Sequence, residues 1–274
     1  MKRLGQNFLV DGKVRNAIVD ASGADDKDLV VEIGSGRGEL TKALAMRAGK
    51  VAAIEIDPAL VDRVKQVSAS LPNIHPIQAD VLSLDFVRLV AELTPPGSGL
   101  TRVLVVGNLP YYITTPILKK LIAGSFLFHT MVLMVQLEVA EKLVAGPGDP
   151  GYGPITIETQ YHTAPEILYT VAPQAFDPPP AVHSAVVRFK VLARPPVEAS
   201  PDILFELVRA SFGQRRKSLR NSLVASHLFR GDRALVRCVL ERACVDGARR
   251  AESLSLYEFA ALARALQTEA SDTR

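Results

Sequence analysis

Short apolar runs recur along the first 190 residues, separated by segments with helical spacing. Residues 29–33, 51–56, 103–106 and 131–136 are mostly Val, Ile, Leu, Ala and Met, and a further strand is expected near 74–78. Such continuous runs read as strands buried on both faces. Between them, Val14, Ile18 and Val19, then Leu40, Leu44 and Ala45, then Val139, Leu143 and Val144 fall on single helical faces. This alternation predicts an α/β fold of Rossmann-like type. A helix over 155–161, a strand over 167–171 and an alternating strand over 182–190 extend it. The Pro-rich stretch 193–201 reads as a linker. Beyond it Leu204, Phe205, Leu207 and Val208 open a helical pattern. The expected organisation is one domain over 1–192 and a smaller, all-helical one over 202–274.

The residues at the end of each run carry the chemistry. The first strand leads into Gly34-Ser35-Gly36-Arg37-Gly38. A dinucleotide fingerprint would place its third glycine at position 39, which is Glu39 here. G-x-G-x-G after a strand with an acid near its end suits S-adenosylmethionine instead, with Gly34 and Gly36 letting the backbone approach the methionine end of that cofactor. The second strand carries Glu55, 21 positions after Gly34, where such folds set a carboxylate to receive two ribose hydroxyls. Asp57, before Pro58, reads as a helix N-cap. The third strand delivers Asp80, either an acceptor for an adenine amino group or a turn cap.

The fourth run is followed by Gly107-Asn108-Leu109-Pro110-Tyr111-Tyr112. Pro110 cannot donate to a sheet and holds Leu109 extended. The Asn108 side-chain carbonyl and the Leu109 main-chain carbonyl could each accept a hydrogen from an exocyclic amine, with Tyr111 stacked on the base. A strand-to-helix turn of ordinary composition is the plainer alternative. The four strand ends together predict a methyltransferase acting on the amino group of a base. Phe176, ahead of Pro178-Pro179-Pro180, is either a second stacking ring opposite Tyr111 or a core anchor. The glycine-rich stretch 146–153 reads as a mobile loop near the site.

Composition narrows the class. Hydrophobic residues make up 48% and charged residues 22%, as in ordinary globular proteins. No apolar run reaches the ~18 residues of a membrane span, and the first residues are polar, so a cytoplasmic protein is expected. Cys238 and Cys244 suit neither a disulfide framework nor a metal site and read as buried apolar residues. The net charge is only +3. Residues 209–250, however, hold eleven Lys or Arg against three Asp or Glu, a net of +8 that leaves the remainder at −5. That asymmetry points to a polyanionic partner. Its densest part is Arg215, Arg216, Lys217 and Arg220, expected as a stripe on one helix with residues 216 and 220 on a shared face.

With these residues assembled, the chain resembles the ribosomal RNA adenine dimethylase family, most of all its bacterial small-subunit branch. The motifs are G-Q-N-F-L, V-E-I-G-S-G, I-E-I-D, Q-A-D, G-N-L-P-Y-Y-I, F-D-P-P-P and F-G-Q-R-R-K-S-L-R-N-S-L. The resemblance implies S-adenosylmethionine as methyl donor, with Asn7, Leu9, Gly34, Glu55, Asp80 and Asn108 as contacts. It implies two adjacent adenosines of the last small-subunit rRNA hairpin as substrate, in an immature 30S particle, and a monomer without metal. Ser35, Ala181 and His183 depart from the usual family residues. A macrolide-resistance enzyme acting on large-subunit rRNA and an assembly factor with secondary methylation are the related alternatives. An NAD-dependent dehydrogenase would share Glu55 but leaves Asn-Leu-Pro-Tyr unexplained.

Overall fold

A computed structural model describes residues 7–214 and 216–272. The chain forms two compact units, Met1–Glu141 with Thr163–Leu192, and Lys142–His162 with Ala193–Arg274.

The first unit is built on a seven-stranded sheet. Its strands and helices in chain order are β1 (Phe8–Leu9), α1 (Gly12–Ser22), β2 (Asp28–Ile33), α2 (Glu39–Ala45), β3 (Lys50–Glu55), α3 (Pro58–Ser68), β4 (Ile74–Gln78), α4 (Phe86–Leu93), β5 (Arg102–Asn108), α5 (Thr114–Ala123), β6 (Thr130–Gln136) and α6 (Leu137–Val144). After α7 (Pro154–His162), the chain returns through β7 (Thr163–Val171), β8 (Phe176–Asp177) and β9 (Ser184–Val191). The sheet order is β4-β3-β2-β5-β6-β9-β7, while β1 and β8 pair separately. The first five strands in that order run parallel, and β9 runs antiparallel to both its neighbours, β6 and β7.

The apolar runs become strands because both sheet faces are covered. Val30, Val31, Val105, Val106 and Leu133 are fully buried, each contributing about 1.5–3 kcal/mol of transfer free energy. Chain order reverses between β2 and β5, which lie side by side with Ile33 opposite Gly107. A Cβ at Gly107 would meet the Ile33 carbonyl oxygen at 2.7 Å, so only glycine allows this close pairing. A ligand crevice belongs at the carboxyl ends of strands on either side of such a reversal. Those ends are Gly34 and Asn108.

The helices start where their caps dictate. Asp11 Oδ1 accepts from Lys13 N at 2.7 Å and opens α1; Asp57 Oδ1 accepts from Ala59 N at 2.9 Å and opens α3.

The second unit holds α7, α8 (Pro201–Phe212), α9 (Leu219–Ala225), α10 (Arg233–Arg242) and α11 (Leu256–Asp272). Tyr152, Ile157 and Tyr161 share one buried cluster with Leu204, Leu207, Phe229, Val239 and Phe259. The boundary expected at 192 therefore differs from the observed division: residues 142–162 belong with the C-terminal helices, because Tyr152 and α7 complete their core. The 146–153 stretch is likewise tied to this unit, with Gly148 N donating to Glu252 O at 2.8 Å. Cys238 is only partly buried and Cys244 is exposed. Cys244 has φ 53, which suits a chain reversal after α10 and not a core position.

Candidate active site

A cleft of about 800 Å³, counting its open mouth, lies in the first unit at the strand ends. Asn7, Gly34, Gly36, Glu55, Asp80, Asn108, Leu109, Pro110 and Tyr111 all line it, beside Ile56 and Tyr112. Six of the seven cofactor candidates are thus brought together. The seventh, Leu9, lines an adjoining cleft with Phe8, Glu32, Ser35, Arg37 and Asn108. Gly34 and Gly36 border both clefts.

Gly36 shows why the loop is glycine-rich. Its φ is +53°, and a Cβ there would meet the Phe8 ring at 3.3 Å. The Arg37 guanidinium sits 4.3 Å from the centroid of that ring and pairs with Asp177 at 3.0 Å.

Glu55 is 5% exposed, yet its carboxylate is well supported. Oε2 accepts from Gly36 N at 3.0 Å, while Oε1 accepts from Ile56 N at 2.9 Å and Asp57 N at 3.0 Å. A buried carboxylate needs such donors. It therefore organises the glycine loop and the turn after β3 as well as lining the cleft. Asp80 is exposed and serves in part as a turn cap, its Oδ1 accepting from Leu82 N at 2.8 Å.

At the end of β5, Leu109 N donates to Met134 O at 3.0 Å. Thr114 Oγ1 donates to the Pro110 carbonyl at 3.0 Å and fixes the turn into α5. Asn108 Nδ2 donates to Asn7 O at 3.0 Å. Asn108 Oδ1 is buried with no hydrogen-bond partner among the described residues. An unpaired buried acceptor costs about 1–3 kcal/mol, and a ligand N–H would satisfy it.

Tyr111 is half-buried, with its hydroxyl 2.5 Å from Ser184 Oγ. Burial raises its pKa, and the Ser184 hydrogen bond offsets part of the rise. It is a neutral phenol whose ring is held from its far end. Phe176 takes the other of its two readings. It is 2% exposed and packs in the core with Ile18, Val19, Val171 and Ala175, and it does not line the cleft. Pairing between β1 and β8 draws it inward.

Glu32, the acid near the end of the first strand, borders the adjoining cleft, though sequence reasoning assigned it no role of its own. It is 1% exposed, and its Oε2 has no hydrogen-bond partner among the described residues. Its pKa is pushed up to about 7, first by burial, with the Glu55 charge adding to the rise and the Thr41 hydroxyl offsetting part of it. The signal was present as the lone acid in Leu29-Val30-Val31-Glu32-Ile33. Ser184, contributed by a strand 73 positions from Tyr111, had no local signal.

In the second unit the basic segment is not one helix. α8 ends at Phe212, and α9 begins only at Leu219. Ser218 Oγ accepts from Asn221 N at 3.4 Å as the cap of the new helix. Arg216 and Lys217 therefore lie in the turn before that cap and are exposed; Arg220 is exposed in the first turn of α9. The expected helical stripe is replaced by a turn and a helix start. Arg215 lies outside the described residues.

Among the described residues no group of His, Cys, Asp or Glu could hold a metal ion, and no helix is long and apolar enough to cross a membrane.

Comparison with known proteins gives a consistent result. The sequence profile described as "Ribosomal RNA adenine dimethylase" matches residues 1–262. A relative from Pelotomaculum thermopropionicum, named ribosomal RNA small subunit methyltransferase A, is 46% identical over 265 residues, covering 96% of this chain and 90% of the relative. One of the same name from a Geobacillus species is 43% identical, covering 97% and 91%. Among solved structures, the 23S rRNA methyltransferase ErmE aligns with TM-score 0.71 and 28% identity, covering 95% of this chain and 100% of that one. A dimethyladenosine transferase from Plasmodium falciparum aligns with TM-score 0.79 and 24% identity over 96% and 98%, a likeness of fold.

Proposed function

The chain belongs to the ribosomal RNA adenine dimethylase family, and from that premise we propose that it dimethylates N6 of adjacent adenosines in the last hairpin of small-subunit rRNA, using S-adenosylmethionine. The observation that carries this reading is Asn108 Oδ1, a buried acceptor with no partner at the carboxyl end of β5.

The clefts fit the cofactor on features of this chain. Glycine at 36 leaves room that a Cβ would fill against Phe8. Glu55, with both oxygens already oriented by backbone donors, can accept from two ribose hydroxyls. Asp80 has an oxygen beyond its Leu82 bond to accept from an adenine amine. Bound there, S-adenosylmethionine supplies an electrophilic methyl group on a sulfonium.

The chain's own contribution to transfer is alignment. Asn108 Oδ1 and the Leu109 carbonyl each accept one N6 hydrogen, which holds the amine and draws its lone pair out of conjugation with the ring. Tyr111, braced by Ser184, presents its ring to a base extruded from its stack. No strong general base is needed, because a methylated ammonium loses its proton readily to water. Positioning of this kind can supply much of the rate enhancement of a displacement. Arg215, Arg216, Lys217 and Arg220 serve as phosphate contacts on the rRNA, which is read largely by shape. The particle recognised is an immature 30S subunit, and the protein acts as a monomer in the cytoplasm.

A large-subunit target is the competing reading, favoured by the fold match to ErmE. Higher identity to the small-subunit methyltransferases supports the first. Incubation with labelled S-adenosylmethionine and, separately, unmethylated small and large subunits decides between them. Label in small-subunit RNA alone is expected; label in large-subunit RNA alone overturns the assignment.

A further inference from the structure

The deepest carboxyl group of the site has no role in the alignment scheme above. Glu32 sits in the middle strand of the parallel sheet, between Ala53 on β3 and Val106 on β5. It borders the cleft that runs from the glycine loop past Phe8 and Leu9. Three further polar atoms of residues bordering that cleft, Arg15 Nε, Ser35 Oγ and Asn108 Oδ1, are buried without hydrogen-bond partners among the described residues, as is Glu32 Oε2.

No neighbouring cation hydrogen-bonds Glu32 Oε2. From α1, Arg15 pairs with Glu39 of α2 at 3.5 Å. From the glycine loop, Arg37 pairs with Asp177 of β8. From β3, Glu55 adds a second negative charge, already satisfied by its three backbone donors. Thr41 faces Glu32 from α2, but its hydroxyl makes no well-formed hydrogen bond. The site thus places a carboxyl beside another carboxylate; Arg37 is engaged by Asp177, and Arg15, whose Nε is buried without a partner, makes no hydrogen bond to Glu32 Oε2. Such a site favours an incoming fixed cation and resists being ionised without one.

Resting on the cofactor reading above, we propose that Glu32 distinguishes the cationic methyl donor from its neutral product: it loses its proton to solvent when the sulfonium cofactor binds and keeps it when S-adenosylhomocysteine binds. Discrimination is then built into charge, and the spent cofactor meets a neutral carboxyl group. The free protein holds Glu32 near half-protonation at neutral pH, since burial lifts it to about 7.

Titration calorimetry of the full chain with each ligand, at pH 6 and pH 8 and in buffers of differing ionisation enthalpy, reads this directly. Since one pKa unit corresponds to a factor of ten, S-adenosylmethionine is expected to bind about tenfold more tightly at pH 8 than at pH 6, with proton release at pH 7. S-adenosylhomocysteine should show less than about a twofold change from this source. The α-amino group of each ligand titrates in the opposite sense, since its ammonium form is lost as pH rises, and Glu32→Gln subtracts it. This variant keeps the shape of the side chain and should bind the donor without proton release. Equal proton release for both ligands in the unaltered protein, or release that persists in folded Glu32→Gln, overturns the role of Glu32. Failure of the unaltered protein to bind either ligand would instead remove the cofactor reading itself.

Discussion

Asn108 Nδ2 donates to the Asn7 carbonyl oxygen at 3.0 Å, and that bond leaves Oδ1 of the same amide buried and unpartnered. Rotating the amide would set oxygen against oxygen, so the contact selects which end is available to a substrate. Replacing Asn108 by Ala removes the acceptor, and replacing it by Asp sets a carboxylate against the Asn7 carbonyl. Both variants should lower methyl transfer to small subunits by about 10²–10³-fold, the range seen when one preorganised polar contact is removed from an active site. Single-turnover transfer at saturating cofactor checks this, and a rate near that of the unaltered enzyme defeats the assigned role.

Glu55 has two duties that the structure makes inseparable. Glu55→Ala should weaken S-adenosylmethionine binding at least tenfold, about 1.4 kcal/mol. It also strands the backbone donors of Gly36, Ile56 and Asp57. Thermal unfolding should therefore show a loss on the order of 1–3 kcal/mol. Unchanged affinity by calorimetry would take Glu55 out of the cofactor site.

Glu32 gives stability a pH dependence of definite sign. Its pKa rises from 4.5 to about 7 in the folded protein, so between those values the native state holds the extra proton. Its contribution is complete below pH 4.5 and disappears as pH rises through 7. The difference is on the order of 3 kcal/mol. Denaturant titrations from pH 5 to 8 should show this decline in the unaltered protein and a flatter profile in Glu32→Gln. Parallel profiles for the two proteins would show that Glu32 is not the group responsible.

The basic turn of the second unit offers a test that does not touch the cleft. Each phosphate contact should contribute a salt slope of roughly −0.7 to −0.9. Arg216, Lys217 and Arg220, replaced together by Ala, should flatten the slope by about 2–3 and weaken binding to small subunits, with cofactor affinity unchanged. All three are exposed. Wild-type affinity and slope in the triple variant would exclude this turn as an RNA contact.

The sheet was legible because a parallel strand buried on both faces writes itself as an apolar run: the run 103–106 lies inside β5, whose residues 103–107 are all buried. The strand-end residues of the cleft were legible for a related reason: each lies at or just past the end of its run, so Gly34, Glu55, Asp80 and Asn108 could be placed by position alone. Phe176 was undecided because its burial depends on pairing with Leu9, a partner 167 positions away. The assignment of α7 to the second unit was invisible for the same reason, since Tyr161 finds Phe205 only across the intervening strands of the other unit, with ring centroids 5.1 Å apart. The basic stripe failed locally: one helix was expected to carry Arg216 and Arg220 on a shared face, and Ser218 between them is a cap that starts a new helix.

The most direct test of the central claim is the nucleoside product. Small subunits lacking the modification are incubated with the protein and S-adenosylmethionine, and their rRNA is digested and analysed by mass spectrometry. The account predicts N6,N6-dimethyladenosine, confined to adjacent adenosines of the last hairpin and formed far more slowly by Asn108→Ala. A methyl group on a ring nitrogen, on a ribose hydroxyl or on a base other than adenine would contradict it.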